Sequence, residues 1–285
     1  MTTLSERHRQ FRRLHDTGCF VIPNPWDMGS ARMMAALGAR ALATTSAGFA
    51  FTLGRPDMGR VSRDEALGHA ESIVCATPLP VSGDLENGFA DAPDEVAETV
   101  RLAREAGLSG CSIEDTRMVE GNPAYDFELA VDRIRAAVDT ARSLADPFVL
   151  CARADGVMNG TYDMDEAIRR IRAYEQAGAD LLYVPVVPDA EALKQVVGAV
   201  STPVNALAAG TLAGLTVDEM AAAGVRRIST GSMFARLTHA AIRDAARAVL
   251  EHGSFESFSG AAGGSEIDRL LLAGAGPTAS RTAGG

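Results

Sequence analysis

Apolar and polar positions follow a repeating order along the chain: an amphipathic, alanine-rich stretch, a glycine, then a short apolar run. The segments AALGAR (35–40), EAGLSG (105–110), QAGADL (176–181) and AAGVRR (222–227) each mark such a junction. A glycine just past a helix takes the left-handed conformation that stops it, so the repeat reads as helix, glycine, strand. Units of this kind build a parallel sheet with helices as crossovers. Eight apolar runs qualify as strands: 19–26, 40–46, 79–86, 110–116, 148–155, 181–187, 203–208 and 226–231. They are short and apolar, as expected when both faces of a sheet are covered. Between them, patterns such as PDEVAETVRLAREAG (93–107) place Val96, Val100 and Ala103 on one helical face. Eight alternations predict an α/β fold, a closed (β/α)8 TIM-type barrel rather than an open doubly wound sheet.

An extra N-terminal helix is predicted over 5–16, and a long helix over 232–251 follows the last strand. Beyond Gly253 the chain turns to Gly, Ser and Ala, with one helical island at 265–274 whose Ile267 and Leu270 to Leu272 suit packing on a neighbouring surface. Residues 276–285 are expected to be a disordered tail, leaving 1–275 as a single domain. A barrel of about 250 residues uses most of such a chain.

Composition narrows the function. The 285 residues carry 27 basic and 37 acidic side chains, a net charge of −10, which argues against a nucleic-acid partner. The charged N-terminus lacks the apolar core of a signal peptide, and no apolar run approaches the roughly 18 residues of a membrane span. A cytoplasmic location is the default. Cys19, Cys75, Cys111 and Cys151 form no C-x-x-C pair, and each lies in an apolar run, so they read as small buried hydrophobes. Lys194 is the only lysine and sits mid-helix in EALKQVV, so no strand end offers an amine for imine chemistry.

Barrel enzymes work at the C-terminal ends of their strands. Those ends here carry Trp26, Thr44 to Gly48, Asp84, Glu86, Glu114, Arg153 and Asp155. The seventh strand contains Asn205, and Asp57 lies in the loop GRPDMG. Asp84 and Glu86, two apart, would share one face of a strand, with Glu114 on the next strand. Three converging carboxylates repel one another without a cation, and their hard oxygens suit Mg²⁺ or Mn²⁺. A lone D-x-E would more simply cap a helix or pair with arginine. Arg153 suits a substrate carboxylate, held by its planar fork, with a structural ion pair as the alternative. The Ser46 hydroxyl and the backbone N–H groups of Ala47 and Gly48 could serve the same carboxylate. Met33, Met34, Phe49 and Phe51 have the spacing of core residues. The five histidines fall on predicted helices away from the strand tips, which disfavours a zinc site or a nucleophile triad. No phosphate-binding glycine motif supports a nucleotide cofactor.

Taken in order, NPWD-x₂-SAR, TTSAG, GRPD, GDLENG, IED and AR-x-D resemble the isocitrate lyase / phosphoenolpyruvate mutase superfamily over about residues 10–250. The resemblance implies a Mg²⁺-dependent barrel enzyme for small 2-oxo or 2-hydroxy acids that works through a metal-stabilised pyruvate enolate. It implies Asp84 as the main metal ligand, with Asp57, Glu86 and Glu114 around the ion, partly through water. It implies that Ser46, the backbone of Ala47 and Gly48, and Arg153 hold the substrate carboxylate. It also implies a homodimer or homotetramer that exchanges the last barrel helix, giving 232–251 and 265–274 a partner surface. Trp26, Tyr183, Pro185 and Asn205 would bound the substrate pocket.

Departures from the superfamily pattern narrow the chemistry. Lyases acting on isocitrate and methylisocitrate carry a catalytic cysteine in K-[KR]-C-G-H after strand 4; here that loop is TRMVEGNPAYD (116–126). The phosphonopyruvate-forming pattern E-D-K is also missing, since Thr116 follows Asp115. Cleaving a 2-hydroxy acid needs both a base and an acid, whereas decarboxylating a 2-oxo diacid needs chiefly an electron sink. The expectation is therefore oxaloacetate decarboxylation. Arg153 and Glu114 would act at the centre, with Tyr125 and Glu120 as the loop's only proton donors. The alternatives are a C–C lyase for a substituted malate or methylisocitrate-like acid, a C–C or C–P hydrolase, and a catalytically silent 2-oxo acid binder.

Overall fold

The computed structural model describes residues 2–276. Its strands are β1 (Phe20–Ile22), β2 (Leu42–Ala43), β3 (Val81–Asp84), β4 (Gly110–Glu114), β5 (Val149–Arg153), β6 (Leu181–Tyr183), β7 (Val204–Leu207) and β8 (Arg227–Ser229). Each lies inside a predicted run. All pairings are parallel, in the order β1-β8-β7-β6-β5-β4-β3-β2. Among the described residues only the β1–β2 seam lacks a ladder. There the Ala43 N–H donates to the Pro23 carbonyl at 3.1 Å and Asn24 Nδ2 donates to the Thr44 carbonyl at 2.8 Å, which nearly closes the barrel. The junction glycines Gly38, Gly107, Gly178 and Gly224 have φ of +97°, +85°, +96° and +92°, the helix-stopping conformation that the repeat implied.

The N-terminal helix Leu4–Leu14 starts with a capping box between Thr3 and Glu6 and lies under the barrel. Its Phe11 and Leu14 join Phe20, Ile22, Ala41 and Val149 in a separate apolar floor. The main core lies between the strands and the outer helices. Helix Pro93–Glu105 buries Val96, Val100 and Ala103, the predicted face, and packs on helix Phe127–Ser143. Lys194 is exposed on helix Ala190–Gly198 and pairs with Glu191 at 3.5 Å. Among the described residues no helix is long and apolar enough to cross a membrane.

After β8, helix Met233–His252 leaves the barrel and buries only Ala235; Leu237, Ile242 and Leu250 are 61%, 64% and 83% exposed. The island forms helix Gly264–Gly274, which packs on helix Met28–Ala36 of its own chain. Gly274 lies so close to the Arg32 carbonyl that a Cβ would not fit. The predicted tail, except Gly276, lies outside the described residues.

Two packing expectations are corrected. Cys111 and Cys151 are buried, whereas Cys19 is half-buried and Cys75 exposed, because the apolar run on helix Arg63–Ala76 spreads beyond its buried face. Of the four residues expected in the core, only Met34 packs against it. Met33 faces an open groove. Residues Ser46–Thr52 form a short helix, which directs Phe49 onto His69 and Phe51 onto His239.

Candidate active site

Three consecutive strands end in charge. Asp84 closes β3, Glu114 closes β4 and Arg153 closes β5, with Glu114 directly opposite Arg153 in the ladder. Asp84 is fixed from several sides. Its N–H donates to Thr44 Oγ1 at 2.8 Å, its Oδ2 accepts from the Ser46 N–H at 2.9 Å, and its Oδ1 accepts from Arg153 Nη1 at 2.9 Å. Arg153 also grips Asp155 with two bonds, Nε to Oδ1 at 3.1 Å and Nη2 to Oδ2 at 2.6 Å, while Nη2 lies 2.9 Å from Glu114 Oε2. Burial works against the Arg153 charge, but Asp155, Glu114 and Asp84 outweigh it and hold the guanidinium charged. Glu114 is raised well above the carboxylate range by burial and by Asp155 and Asp84, against the pull of Arg153. A cavity of about 50 Å³ below this group is lined by Asp84, Ser112, Arg153, Tyr183, Arg227 and Ser229, among others.

A second carboxylate pair lies just outside. β3 stops at Asp84, and Glu86 takes φ +47°, so a left-handed turn rather than strand pleat brings Glu86 towards Asp84. This corrects the expectation that the two share a strand face. Burial, then Asp84 and Asp57, push Glu86 up to about 7, and burial also raises Asp57. Asp57 Oδ1 and Glu86 Oε2 are buried without a hydrogen-bond partner. Unsatisfied buried carboxylate oxygens beside a third carboxylate are the donor set a hard divalent cation fits. Among the described residues, no three Asp, Glu, His or Cys side chains already form a coordination cage. Arg153 holds Asp84 and Glu114, so the expected four-carboxylate set is divided. From Glu86 a cleft of about 620 Å³ runs beneath Met118 and Val119 of the 116–126 segment.

The sequence profile described as phosphoenolpyruvate phosphomutase matches residues 11–250. The chain belongs to this family. A solved structure from Burkholderia cenocepacia J2315, provisionally described as a lyase/mutase, is 46% identical with a TM-score of 0.90, covering 94% of this chain and 96% of that one. Oxaloacetate acetylhydrolase, solved with its product oxalate, is 28% identical with a TM-score of 0.84 over 95% of each chain. The 2,3-dimethylmalate lyase, described as a PEP mutase/isocitrate lyase superfamily member, is 26% identical with a TM-score of 0.82 over 95% of each.

In this phosphoenolpyruvate phosphomutase family member the other expected site residues scatter. Ser46, Ala47 and Gly48 form the first turn of helix Ser46–Thr52. The Ser46 N–H is engaged by Asp84, and the Gly48 N–H by Thr45 Oγ1 at 3.2 Å. Trp26 lines the groove with Met33, Leu37, Phe234 and Leu237, not the cavities beside Asp84. Asn205 lies within the ring, where its Oδ1 accepts from Arg227 Nε at 2.7 Å and its Nδ2 donates to Ser229 Oγ at 2.9 Å. Residues 116–125 form a hairpin closed by the Thr116–Ala124 bridge, with Glu120 exposed near its tip. The hairpin turns Tyr125 away from the mouth. Its hydroxyl donates to Asp91 Oδ1 at 2.6 Å and accepts from Asn87 Nδ2 at 2.8 Å, and Arg133 lies 4.0 Å from the ring centroid. Burial and Asp91 push the phenol up to about 12. Neither Tyr125 nor Glu120 lines the cavities beside Asp84.

Sequence reasoning gave no role to Asp155, Thr44 or Asn24, and it placed every histidine away from the site. Asp155 was legible from parity, two residues after Arg153. Asn24 ties β1 and β2 to the start of the β8 loop, accepting from the Thr230 and Gly231 N–H groups, each at 2.9 Å. His69 reaches in from helix Arg63–Ala76. Its Nε2–H donates to the Trp26 carbonyl at 2.9 Å, its ring stacks on Phe49 at 3.9 Å, and it lines a small space with Ser46, Asp84 and Glu86. No local spacing signals that approach; it depends on how the helix is rotated against the barrel.

Proposed function

We propose that this protein is a Mg²⁺-dependent lyase that decarboxylates a small 2-oxo dicarboxylic acid, with oxaloacetate the best specific substrate. The observation that carries the proposal is the buried Arg153 guanidinium, held by Asp155 and reaching Asp84 and Glu114 beside two unpartnered carboxylate oxygens. Asp155 keeps the fork oriented while the bonds to Asp84 and Glu114 are exchanged for a substrate carboxylate. Asp57, Asp84 and Glu86 would hold Mg²⁺ or Mn²⁺, with Glu114 beside them. The ion would supply the sink for electrons released as CO₂ departs. Glu114, which burial favours in its protonated form, offers a hydrogen bond to negative charge developing beside Arg153. Ser46 at the turn after β2 positions Asp84 from the other side. Four free cysteines suit a reducing cytoplasm.

The test is pyruvate release from oxaloacetate with Mg²⁺, measured above the metal-only rate. Asp84→Ala should bring the rate to that background; a rate unchanged by the substitution refutes the proposal. Likeness to oxaloacetate acetylhydrolase over 95% of both chains favours a second reading, hydrolysis of the same substrate. Oxalate and acetate, instead of pyruvate and CO₂, would identify it. Likeness to the dimethylmalate lyase makes substituted malates the next substrates to try. Thermal stabilisation by oxo acids with no product would mark a silent binder.

The proposal extends to a homodimer or homotetramer. A groove of about 600 Å³, lined by Phe20, Trp26, Met33, Leu37, Phe234 and Leu237, lies open beside the uncovered helix Met233–His252. A second copy supplies apolar surface of matching character. Leu237→Asp should lower the molar mass measured by light scattering to that of one chain, and an unchanged mass would rule this surface out.

A further inference from the structure

One buried carboxylate near the site belongs neither to the proposed metal ligands nor to the substrate contacts. Asp115 follows Glu114 at the end of β4, and its side chain accepts four hydrogen bonds. The Asp155 N–H donates to Oδ1 at 2.8 Å. Tyr162 Oη, Arg170 Nη1 and Tyr174 Oη donate to Oδ2 at 2.8, 3.0 and 3.0 Å. The donors come from three places: the turn after β5, the loop before helix Met164–Ala177, and that helix itself. Tyr162 reaches Asp115 across Gly156, where a Cβ would collide with the tyrosine ring. The glycine is thus required by the approach of the phenol.

Two functional elements meet at this carboxylate. Asp155, whose backbone Asp115 fixes, carries the two-point grip on Arg153. The base of the 116–125 hairpin is fastened to the same place. The Asp115 carbonyl accepts from the Tyr125 N–H at 2.8 Å, and Arg170, while bonded to the Asp115 carboxylate, donates from Nη2 to the Tyr125 carbonyl at 2.9 Å. Asn159, one turn beyond Asp155, donates to Thr116 Oγ1 at 2.9 Å on the other arm.

We propose that Asp115 is a positioning residue that sets the orientation of the Arg153 fork and the seating of the 116–125 hairpin together, so that the two cannot be disturbed separately at this point. The functional consequence rests on Arg153 being the substrate-carboxylate fork. The structural coupling does not. A carboxylate with only acceptors is the one side chain of this size that satisfies four converging donors. Asp115→Asn keeps the shape but turns an NH₂ towards hydroxyl, guanidinium or backbone donors, so the array must rearrange.

The experiment uses the full-length protein and three readouts. The Arg153 Nε–H resonance, assigned by its loss in Arg153→Lys, reports the fork. The rate of tryptic cleavage after Arg117 reports the hairpin. KM and kcat for oxaloacetate report the consequence. Asp115→Asn should shift or broaden the Nε–H resonance, speed cleavage after Arg117 and raise KM about tenfold or more, with a smaller change in kcat. Tyr162→Phe and Tyr174→Phe each remove one donor but leave the carboxylate, and should move the resonance and the cleavage rate the same way by less. They decide the matter if Asp115→Asn does not fold. A wild-type resonance in the folded variants, or faster cleavage with the resonance unmoved, overturns the proposal. Wild-type protein that turns over no oxaloacetate, while the resonance and cleavage still move together, removes the proposed substrate and leaves the positioning role standing.

Discussion

The barrel buries ionisable groups at both ends, with opposite results. Near the floor, His8 and His15 on and after helix Leu4–Leu14 are buried; neither nitrogen of His8 has a partner, and His15 donates only to the Phe11 carbonyl at 2.9 Å. Burial, then Arg104, holds His8 down at about 4; burial, then Arg227, holds His15 at about 3. Both are neutral at pH 7 and serve as packing. At the mouth, the Arg153 guanidinium is as deeply buried but is held charged by Asp155, Glu114 and Asp84, while two oxygens of the neighbouring Asp57 and Glu86 are left unanswered. Depth alone therefore marks no functional site. Convergence from separate strand ends, with compensation left incomplete beside a cavity, does.

The largest expected effect tests that compensation. Arg153→Met leaves Asp84, Glu114 and Asp155 without their shared cation, and should cost about 3–5 kcal/mol of stability in urea unfolding and abolish turnover. His8→Leu, at the other end, trades an unpaired buried imidazole for an apolar side chain and should cost far less at pH 7. Equal losses would break the comparison.

A smaller effect separates the ends by pH. The histidines have folded values below the ordinary 6.5, so the unfolded chain binds more protons; their contribution is full above about pH 6.5 and is lost as pH falls to about 4 for His8 and about 3 for His15. Glu86 has the reverse sign. Its folded value of about 7 exceeds the ordinary 4.5, so its contribution is full below pH 4.5 and is lost as pH rises to 7. Without added metal, Glu86→Gln should match the wild type near pH 4.5 and exceed it at pH 8 by about 3 kcal/mol at most. His8→Leu should flatten the acid side instead. Urea midpoints across this range decide it, and a wild-type slope in Glu86→Gln would show that the outer pair is not strained by its own charge.

Local rules carried the scaffold far. Each strand lies within a predicted apolar run, and the four junction glycines stop their helices, because both features depend on neighbours in sequence. The ends of Asp84, Glu114 and Arg153 were legible for the same reason. Glu86 was expected beside Asp84 too, but not by the route it takes, a left-handed turn at a non-glycine residue, which no pattern announces. Tyr125 was drawn away by Asp91 and Asn87, more than thirty positions earlier in the chain. His69 was missed because the rotation of helix Arg63–Ala76 against the barrel decides which of its side chains faces the strand tips.

The seam between β1 and β2 is where the barrel is held by the fewest bonds. Elsewhere, neighbouring strands are stitched by ladders, and widening them means breaking several bonds together. At the seam, one backbone bond and the Asn24 amide carry the closure, so parting it forfeits about 1 kcal/mol for each bond. The fewest bonds between neighbouring strands therefore lie next to Thr44, which positions Asp84. The mouth is thus closed by two bonds beside Thr44, against the full ladders on the β3–β5 side that carries Asp84, Glu114 and Arg153.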